Sequence, residues 1–102
     1  MHLDPTEEDR LQLFAAAELA RRSLADGLEL NAPEAAALVA DEMHRAARRG
    51  GSLDDVIDAG RRAVPRERLM EGVPTIVGSV KVEVLLGDGR RLAVVRPWEA
   101  AS

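Results

Sequence analysis

The first half of the chain repeats apolar positions at steps of three and four residues, a spacing typical of amphipathic helices. Asp4, Pro5 and Glu7 have the arrangement of an N-cap followed by a first helical turn, and Gly27 is suited to end this helix. One apolar stripe predicts the side that faces the core: Leu13, Ala17, Ala20, Leu24 and Leu28.

The same predicted helix carries a second stripe on another side, formed by Leu11, Ala15 and Leu19 at i+4 spacing. A helix that is apolar on two sides is usually buried on two sides. Because the chain is small, we interpret the second stripe as a surface that a partner covers.

Three shorter helical segments are predicted next. Asn31, with Glu34 three residues later, predicts the cap of a second helix. Ser52 is predicted to cap a third helix, and Pro65 to open a fourth short helical piece. The stretch expected to end this last piece is Gly72-Val73-Pro74.

In the last quarter of the chain the apolar period becomes alternating, which predicts a β-hairpin over residues 79–96. A glycine turn at Gly87–Gly89 separates its strands, and a short tail over residues 97–102 follows. The positions expected to share a face are Val80, Val82, Val84 and Leu86 on the first strand, and Leu92 and Val94 on the second.

Together these patterns predict one α+β domain over residues 1–102, with about four helices over residues 5–74 and a C-terminal antiparallel hairpin. A two-stranded hairpin is marginal in water unless a helix or another strand packs on it. Its outer edge also presents unpaired N–H and C=O groups to other chains. We therefore expect a chain that other subunits complete.

Composition narrows the classes of function. The 102 residues include 14 basic and 18 acidic side chains, a net charge of −4, which disfavours nucleic acid or an anionic membrane as a partner. Cysteine is absent, which excludes disulfides, thiolate metal sites and a cysteine nucleophile. The acidic start of the chain does not resemble a signal peptide and no apolar span is present, so we expect a cytoplasmic protein.

The densest polar group is Asp41, Glu42, His44 and Arg45 on the second predicted helix. Asp41 and His44 at i, i+3 share a helix face, a spacing that can hold a metal or orient a base. One histidine with two carboxylates is a thin ligand set, however. We interpret the group as a solvated helix face with local ion pairs worth roughly 0.2–0.5 kcal/mol each.

Other candidate sites have simpler explanations. Ser52, His44 and Asp55 could form a hydrolytic triad, but Ser52 is better explained as a helix cap. Gly87–Gly89 lacks the following helix and the lysine of a phosphate-binding loop. His2 is more often a surface residue than a ligand. We therefore assign no catalytic, cofactor-binding or metal-ligating residue to this chain.

Several arginines are expected near one end of the molecule. Acidic neighbours offset them and no aromatic residues are interleaved, so they do not predict a nucleic-acid surface. Guanidinium groups suit ion pairs at protein interfaces, which is the use we favour. These residues are Arg45, Arg48, Arg49, Arg61, Arg62, Arg66 and Arg68.

Short phrases along the whole chain together form a pattern more specific than any single motif. They are His2-Leu3, Ala20-Arg21-Arg22, Gly27 to Asn31, Pro33-Glu34-Ala35, Ala46 to Gly50, Met70 to Pro74, Val80 to Val84, and Asp88 to Leu92. This pattern, collinear from His2 to about Val95, resembles the gamma subunit of bacterial urease.

The resemblance implies a small α+β subunit of a nickel-dependent enzyme that hydrolyses urea to ammonia and carbon dioxide. In that family, alpha, beta and gamma chains form a heterotrimer, and three such units form a ring. Nickel and the catalytic residues belong to the alpha subunit, so the resemblance implies none for this chain.

The implied partners are beta and alpha subunits and other gamma chains. The surfaces expected to meet them are the second stripe, the Arg45–Arg49 helix end and the hairpin edge.

Three stretches depart from the family pattern: Ala32, Thr75–Ser79 and Val95–Glu99. They keep open an alternative, a stand-alone protein-binding module built on the same scaffold. An independent small hydrolase is a third hypothesis.

Overall fold

In the described part of the chain, four α-helices lead into one β-hairpin. The computed structural model describes residues 5–99, with the side chains of residues 7–99. The elements are α1 (Pro5–Ala25), α2 (Ala32–Arg48), α3 (Leu53–Arg61), a 3₁₀ turn (Arg66–Arg68), α4 (Val73–Val77), β1 (Val80–Leu86) and β2 (Gly89–Val95). The predicted α+β order of about four helices followed by an antiparallel hairpin is confirmed.

Reciprocal capping boxes begin α2 and α3, as the sequence predicted. The Asn31 side chain accepts a hydrogen bond from the Glu34 N–H at 2.9 Å, and Glu34 accepts one from the Asn31 N–H at 3.0 Å. Ser52 and Asp55 exchange the equivalent bonds at 3.1 and 2.9 Å. Each box satisfies two N–H groups that the helix itself leaves without partners. The predicted cap of α1, Asp4, lies outside the described residues.

A left-handed glycine ends α1. Gly27 has φ +79°, which allows the Leu28 N–H to donate to the Ser23 carbonyl at 2.9 Å. The same turn carries Leu28 off the helix and leaves it 56% exposed. The prediction that Leu28 continues the core stripe was therefore wrong, whereas Ala17 and Ala20 are fully buried.

The helical region ends later than residue 74. Gly72 has φ +85° and caps α4, so the stretch expected to end a helix begins one instead. Pro74 fits the first turn because its missing N–H would have no helical partner there. The piece that begins at Pro65 is only a 3₁₀ turn, after which Leu69 forms a parallel bridge with Leu30.

Helix α2 is the centre of the domain. It contacts α1, α3, α4 and β1, and Ala35, Leu38, Val39 and Met43 on it are buried. Small side chains let neighbouring backbones approach closely, and Gly60 of α3 shows this best: a Cβ there would lie 2.9 Å from the Met43 sulfur.

The hairpin packs one face on the helices and presents the other outward. Val82 lies opposite Ala93, and both are buried. Residues directly opposite in an antiparallel pair share a face. Leu92 and Val94 do share a face, as predicted, but it is the outward one, where they are 62% and 44% exposed.

Trp98 anchors the chain after β2. Its side chain is 7% exposed, and its indole N–H donates to the Val64 carbonyl at 2.8 Å. Arg66 donates to the Trp98 carbonyl at 2.6 Å. One of the stretches that departs from the family pattern, Val95–Glu99, thus contains a core residue.

Replacing Trp98 by leucine should lower the free energy of unfolding by about 2–4 kcal/mol. The change leaves a cavity and removes the donor to a buried carbonyl. Phe14→Leu is the matched control, since Phe14 is 44% exposed, and it should cost less than about 1 kcal/mol. Urea unfolding followed by circular dichroism measures both, and similar losses would show that Trp98 is not an anchor.

Candidate subunit interface

A buried carboxylate connects the first two helices. Asp41 on α2 is 0% exposed, the one charged side chain of the described residues in the core. Arg10 and Arg21, both on α1, reach its two oxygens at 2.8 and 2.5 Å. The expectation of a solvated face with local ion pairs is therefore wrong for Asp41, which pairs between helices and away from water.

The network extends to the surface through Arg21. Its guanidinium also contacts Glu18 at 2.6 Å and Glu42 at 2.7 Å. Burial lowers the pKa of Arg21, but hydrogen bonds to Asp41, Glu42 and Glu18 outweigh it and the net shift is upward. Burial raises the pKa of Asp41, whereas hydrogen bonds from Arg21 and Arg10 lower it, with a net shift downward. Both groups stay charged at neutral pH, which keeps the ion pairs between α1 and α2 intact.

His44 lies beside this network, half-buried on α2. Burial and the nearby Arg10 charge lower its pKa, against an opposing effect of Asp41, so it is neutral at pH 7. Within residues 5–99 no three His, Asp or Glu side chains are placed to hold a metal ion. Ser52 is occupied in its capping box with Asp55, the structural role that its position predicted. His2 lies outside the described residues.

The arginines predicted to gather at one end differ in what they contact, and Arg61 and Arg62 at the end of α3 are exposed. Arg66 and Arg68 bind backbone carbonyls of the same chain: Arg66 donates to the Trp98 carbonyl, and Arg68 donates to the Leu24 carbonyl at 2.8 Å. These bonds hold the segment between α3 and α4 against the rest of the chain. The Arg45–Arg49 end of α2 carries its charges outward, with Arg45, Arg48 and Arg49 exposed.

Among the exposed apolar side chains of residues 7–99, two groups each share one face, whereas Leu28, Met70 and Ile76 are exposed elsewhere. The second stripe is one, with Leu11 53% and Leu19 64% exposed, so no described part of this chain covers it. The other, which we call the hairpin outer face, consists of Leu85, Leu92 and Val94, at 71%, 62% and 44%. Exposed apolar patches on small proteins mark interaction surfaces.

Sequence reasoning predicted a docking edge on the hairpin rather than this face. The sequence did contain a signal for this face, because Leu85 is an apolar residue on the same side of β1 as the polar Lys81 and Glu83.

A groove continues the hairpin outer face toward α2. It has a volume of about 630 Å³ and lies between the start of α1, the second half of α2 and the end of β1. Leu13, His44, Arg48 and Leu85 are among its lining residues. Leu85 of the hairpin outer face and Arg48 of α2 line this same groove, so apolar and charged side chains lie side by side there, as they do at protein interfaces.

No helix within residues 5–99 combines the length and the apolar character needed to cross a bilayer.

The fold and its surfaces define a class: a small α+β protein with an ion network between two helices and with apolar faces that the described residues leave exposed. The family model for the urease gamma subunit matches residues 1–97. The chain belongs to the urease gamma-subunit family, which confirms the resemblance drawn from the sequence.

Two relatives named "Urease subunit gamma/beta" show how the chain relates to longer proteins. The one from Streptomyces avermitilis is 53% identical over 95 residues, which is 93% of this chain and 42% of the relative. The one from Streptomyces coelicolor is 50% identical over 95 residues, with the same coverage. The chain therefore spans about two-fifths of the length of these curated relatives.

Replacing Asp41 by asparagine should destabilise the protein by about 2–3 kcal/mol at pH 7. It removes the negative charge that Arg10 and Arg21 share, at a cost below that of a fully buried pair because both arginines retain some contact with water and Arg21 keeps Glu18 and Glu42. Asp58→Asn is the matched control, since it breaks an exposed pair with Arg62 at 3.1 Å and should cost less than about 1 kcal/mol. Chemical unfolding gives both values, and equal costs would contradict a structural role for the network.

The contribution of Asp41 to stability should disappear in acid. Its pKa is lower in the folded protein than its ordinary value of 3.8, so the folded chain binds fewer protons than the unfolded chain near that pH. The contribution is fully present well above pH 4 and is lost as pH falls through the folded pKa.

The difference in unfolding free energy between wild type and Asp41→Asn should thus shrink between pH 5 and pH 2, measured by unfolding at several pH values. Asp55, whose pKa is lowered by the hydrogen bond from the Ser52 N–H, is present in both proteins and cancels. A difference that does not change with pH would contradict the assignment.

Proposed function

We propose that this chain is the non-catalytic gamma subunit of a urease, an enzyme complex that hydrolyses urea to ammonia and carbon dioxide. The observation that carries the proposal is the family match over residues 1–97. The relatives named gamma/beta support it further, because a gamma segment joined to a beta segment in one chain implies that the two work together.

The proposed partners are beta and alpha subunits and other gamma chains, in a cytoplasmic trimer of heterotrimers. The alpha subunit would hold nickel and the catalytic residues. This chain would contribute no reacting group, which agrees with an Asp41 network whose charges are paired with one another.

The mechanism we propose for this chain is structural. Fully burying a leucine or valine side chain contributes about 1.5–3 kcal/mol, so the hairpin outer face offers several kcal/mol toward association. Part of this is offset by the freedom lost when chains associate. The Arg45–Arg49 end of α2 and the adjoining groove supply charges that orient a partner rather than most of the binding free energy.

Rigidity matters for this role. A partner that must contact α2 and β1 together requires them in one fixed arrangement, since ordering loose elements on binding reduces affinity. β1 packs directly on α2, which holds the groove and the hairpin outer face in register with each other.

Co-expression with beta and alpha chains, nickel and the maturation factors should give ammonia release from urea, and omitting this chain should abolish it. Leu92→Asp should reduce recovery of the complex at least about tenfold, because it places a charge in the proposed apolar contact. In the isolated chain it should change stability by less than about 0.5 kcal/mol, since the residue is exposed.

Lys81→Gln, on the same side of the hairpin, is the matched control and should assemble normally. Complex mass is measured by native mass spectrometry, and ammonia release by a coupled assay. Unchanged activity and complex mass without this chain would contradict the proposal. Capture of unrelated proteins in place of urease chains would favour the stand-alone module instead.

A further inference from the structure

The outward side of α1 is nearly symmetric about Ala15. Leu11 and Leu19 lie four residues from it in either direction, and Glu8 and Arg22 lie seven residues from it. Steps of three and four residues keep all five on one side of a helix. The inner pair is identical and apolar, whereas the outer pair carries opposite charges. We call these five residues the α1 outer face.

Within the described residues, no part of the chain covers these five side chains. All are exposed, and neither Glu8 nor Arg22 forms an ion pair with another residue in the described range 7–99. By contrast, Arg10 and Arg21 of the same helix form ion pairs with Asp41.

A hollow lies on this face beside the small side chain of Ala15. It has a volume of about 410 Å³ and is lined by Ala15, Glu18, Leu19 and Arg22. These residues are spaced i, i+3, i+4 and i+7, the four positions that surround the hole for a side chain of a facing helix. The hollow is therefore shaped for another helix rather than for a small molecule.

We propose that the α1 outer face binds the α1 outer face of a second copy of this chain, antiparallel, about a twofold axis at Ala15. Each Leu11 then enters the hollow of the other copy and meets the partner's Leu19. Each Glu8 meets the partner's Arg22. A parallel pair would place like charges together at both ends, so the charges select the antiparallel arrangement.

The contact is self-complementary, and this limits where it can act. One helix face buries less than the roughly 1,200–2,000 Å² of a stable specific interface, so we expect weak pairing of the isolated chain. A twofold contact also cannot close a ring with threefold symmetry. This step rests on the proposed function, which places gamma chains in a threefold ring. The contact therefore joins gamma chains of two different rings, and the several contacts between the two rings reinforce one another.

Site-directed crosslinking tests the contact directly. The chain has no cysteine, so Ala15→Cys introduces a single thiol at the proposed axis. Under mild oxidation it should form disulfide-linked dimers at least about tenfold faster than Ala25→Cys, because pairing raises the local thiol concentration only at the axis. Ala25 is exposed on the same helix and lies ten residues from the axis.

Charge exchange tests the symmetry. In the Ala15→Cys background, Glu8→Arg or Arg22→Glu alone should slow crosslinking about fivefold or more, because like charges then face each other at both ends. The double variant exchanges both signs and should restore the original rate to within about twofold. A double variant as slow as the single ones would overturn the proposal, since only an isologous contact is repaired within one chain.

The complex with beta and alpha chains separates this inference from the proposed function. Native mass spectrometry should show paired rings with the wild-type chain, and single rings that still release ammonia with Glu8→Arg. Failure to assemble with beta and alpha chains would contradict the proposed function while the crosslinking of the isolated chain still tests the α1 contact. Equal crosslinking of Ala15→Cys and Ala25→Cys would overturn the α1 contact whatever the urease assay shows.

Discussion

The structure depends on neutralising one charge that has no access to water. Asp41 lies in the core beside α1, and a buried charge without partners is strongly unfavourable. Arg10 and Arg21 supply the compensation from two points more than two turns apart on α1. Over residues 7–25 of α1, the fully buried side chains are the small ones of Ala17 and Ala20, which offer little apolar area. The rotation and position of α1 on α2 therefore follow from the ion network more than from apolar packing.

That arrangement decides which side of α1 faces solvent. With Arg10, Ala17 and Arg21 directed at α2, the α1 outer face has to point away from it. The hairpin is oriented by a different interaction, the packing of its valines on α2 and α3. The ion network thus fixes the direction of the α1 outer face, and the packing of the valines fixes the direction of the hairpin outer face. The proposed role in assembly needs this geometry more than it needs a cavity in the chain.

Local signals were sufficient for much of the fold. The capping boxes at Asn31 and Ser52 and the left-handed turn at Gly27 were predicted correctly because each depends on residues within a few positions of one another. The alternation in β1 also identified its buried face. Gly72 to Pro74 was misread because a glycine and a proline can stand at either end of a helix, and the chain that follows decides between them.

From the sequence alone came the α+β order, the unpaired second stripe of α1, the absence of cysteine chemistry and the family. Tertiary structure alone decided that Asp41 is buried, since its partners are 20 and 31 residues away and no local pattern reports such pairs. It also decided that Leu92 and Val94 face outward, because the pairing register with β1, not the composition of β2, assigns its faces. Periodicity shows which residues lie together on one side, and only the neighbours that the fold supplies determine whether that side meets protein or water.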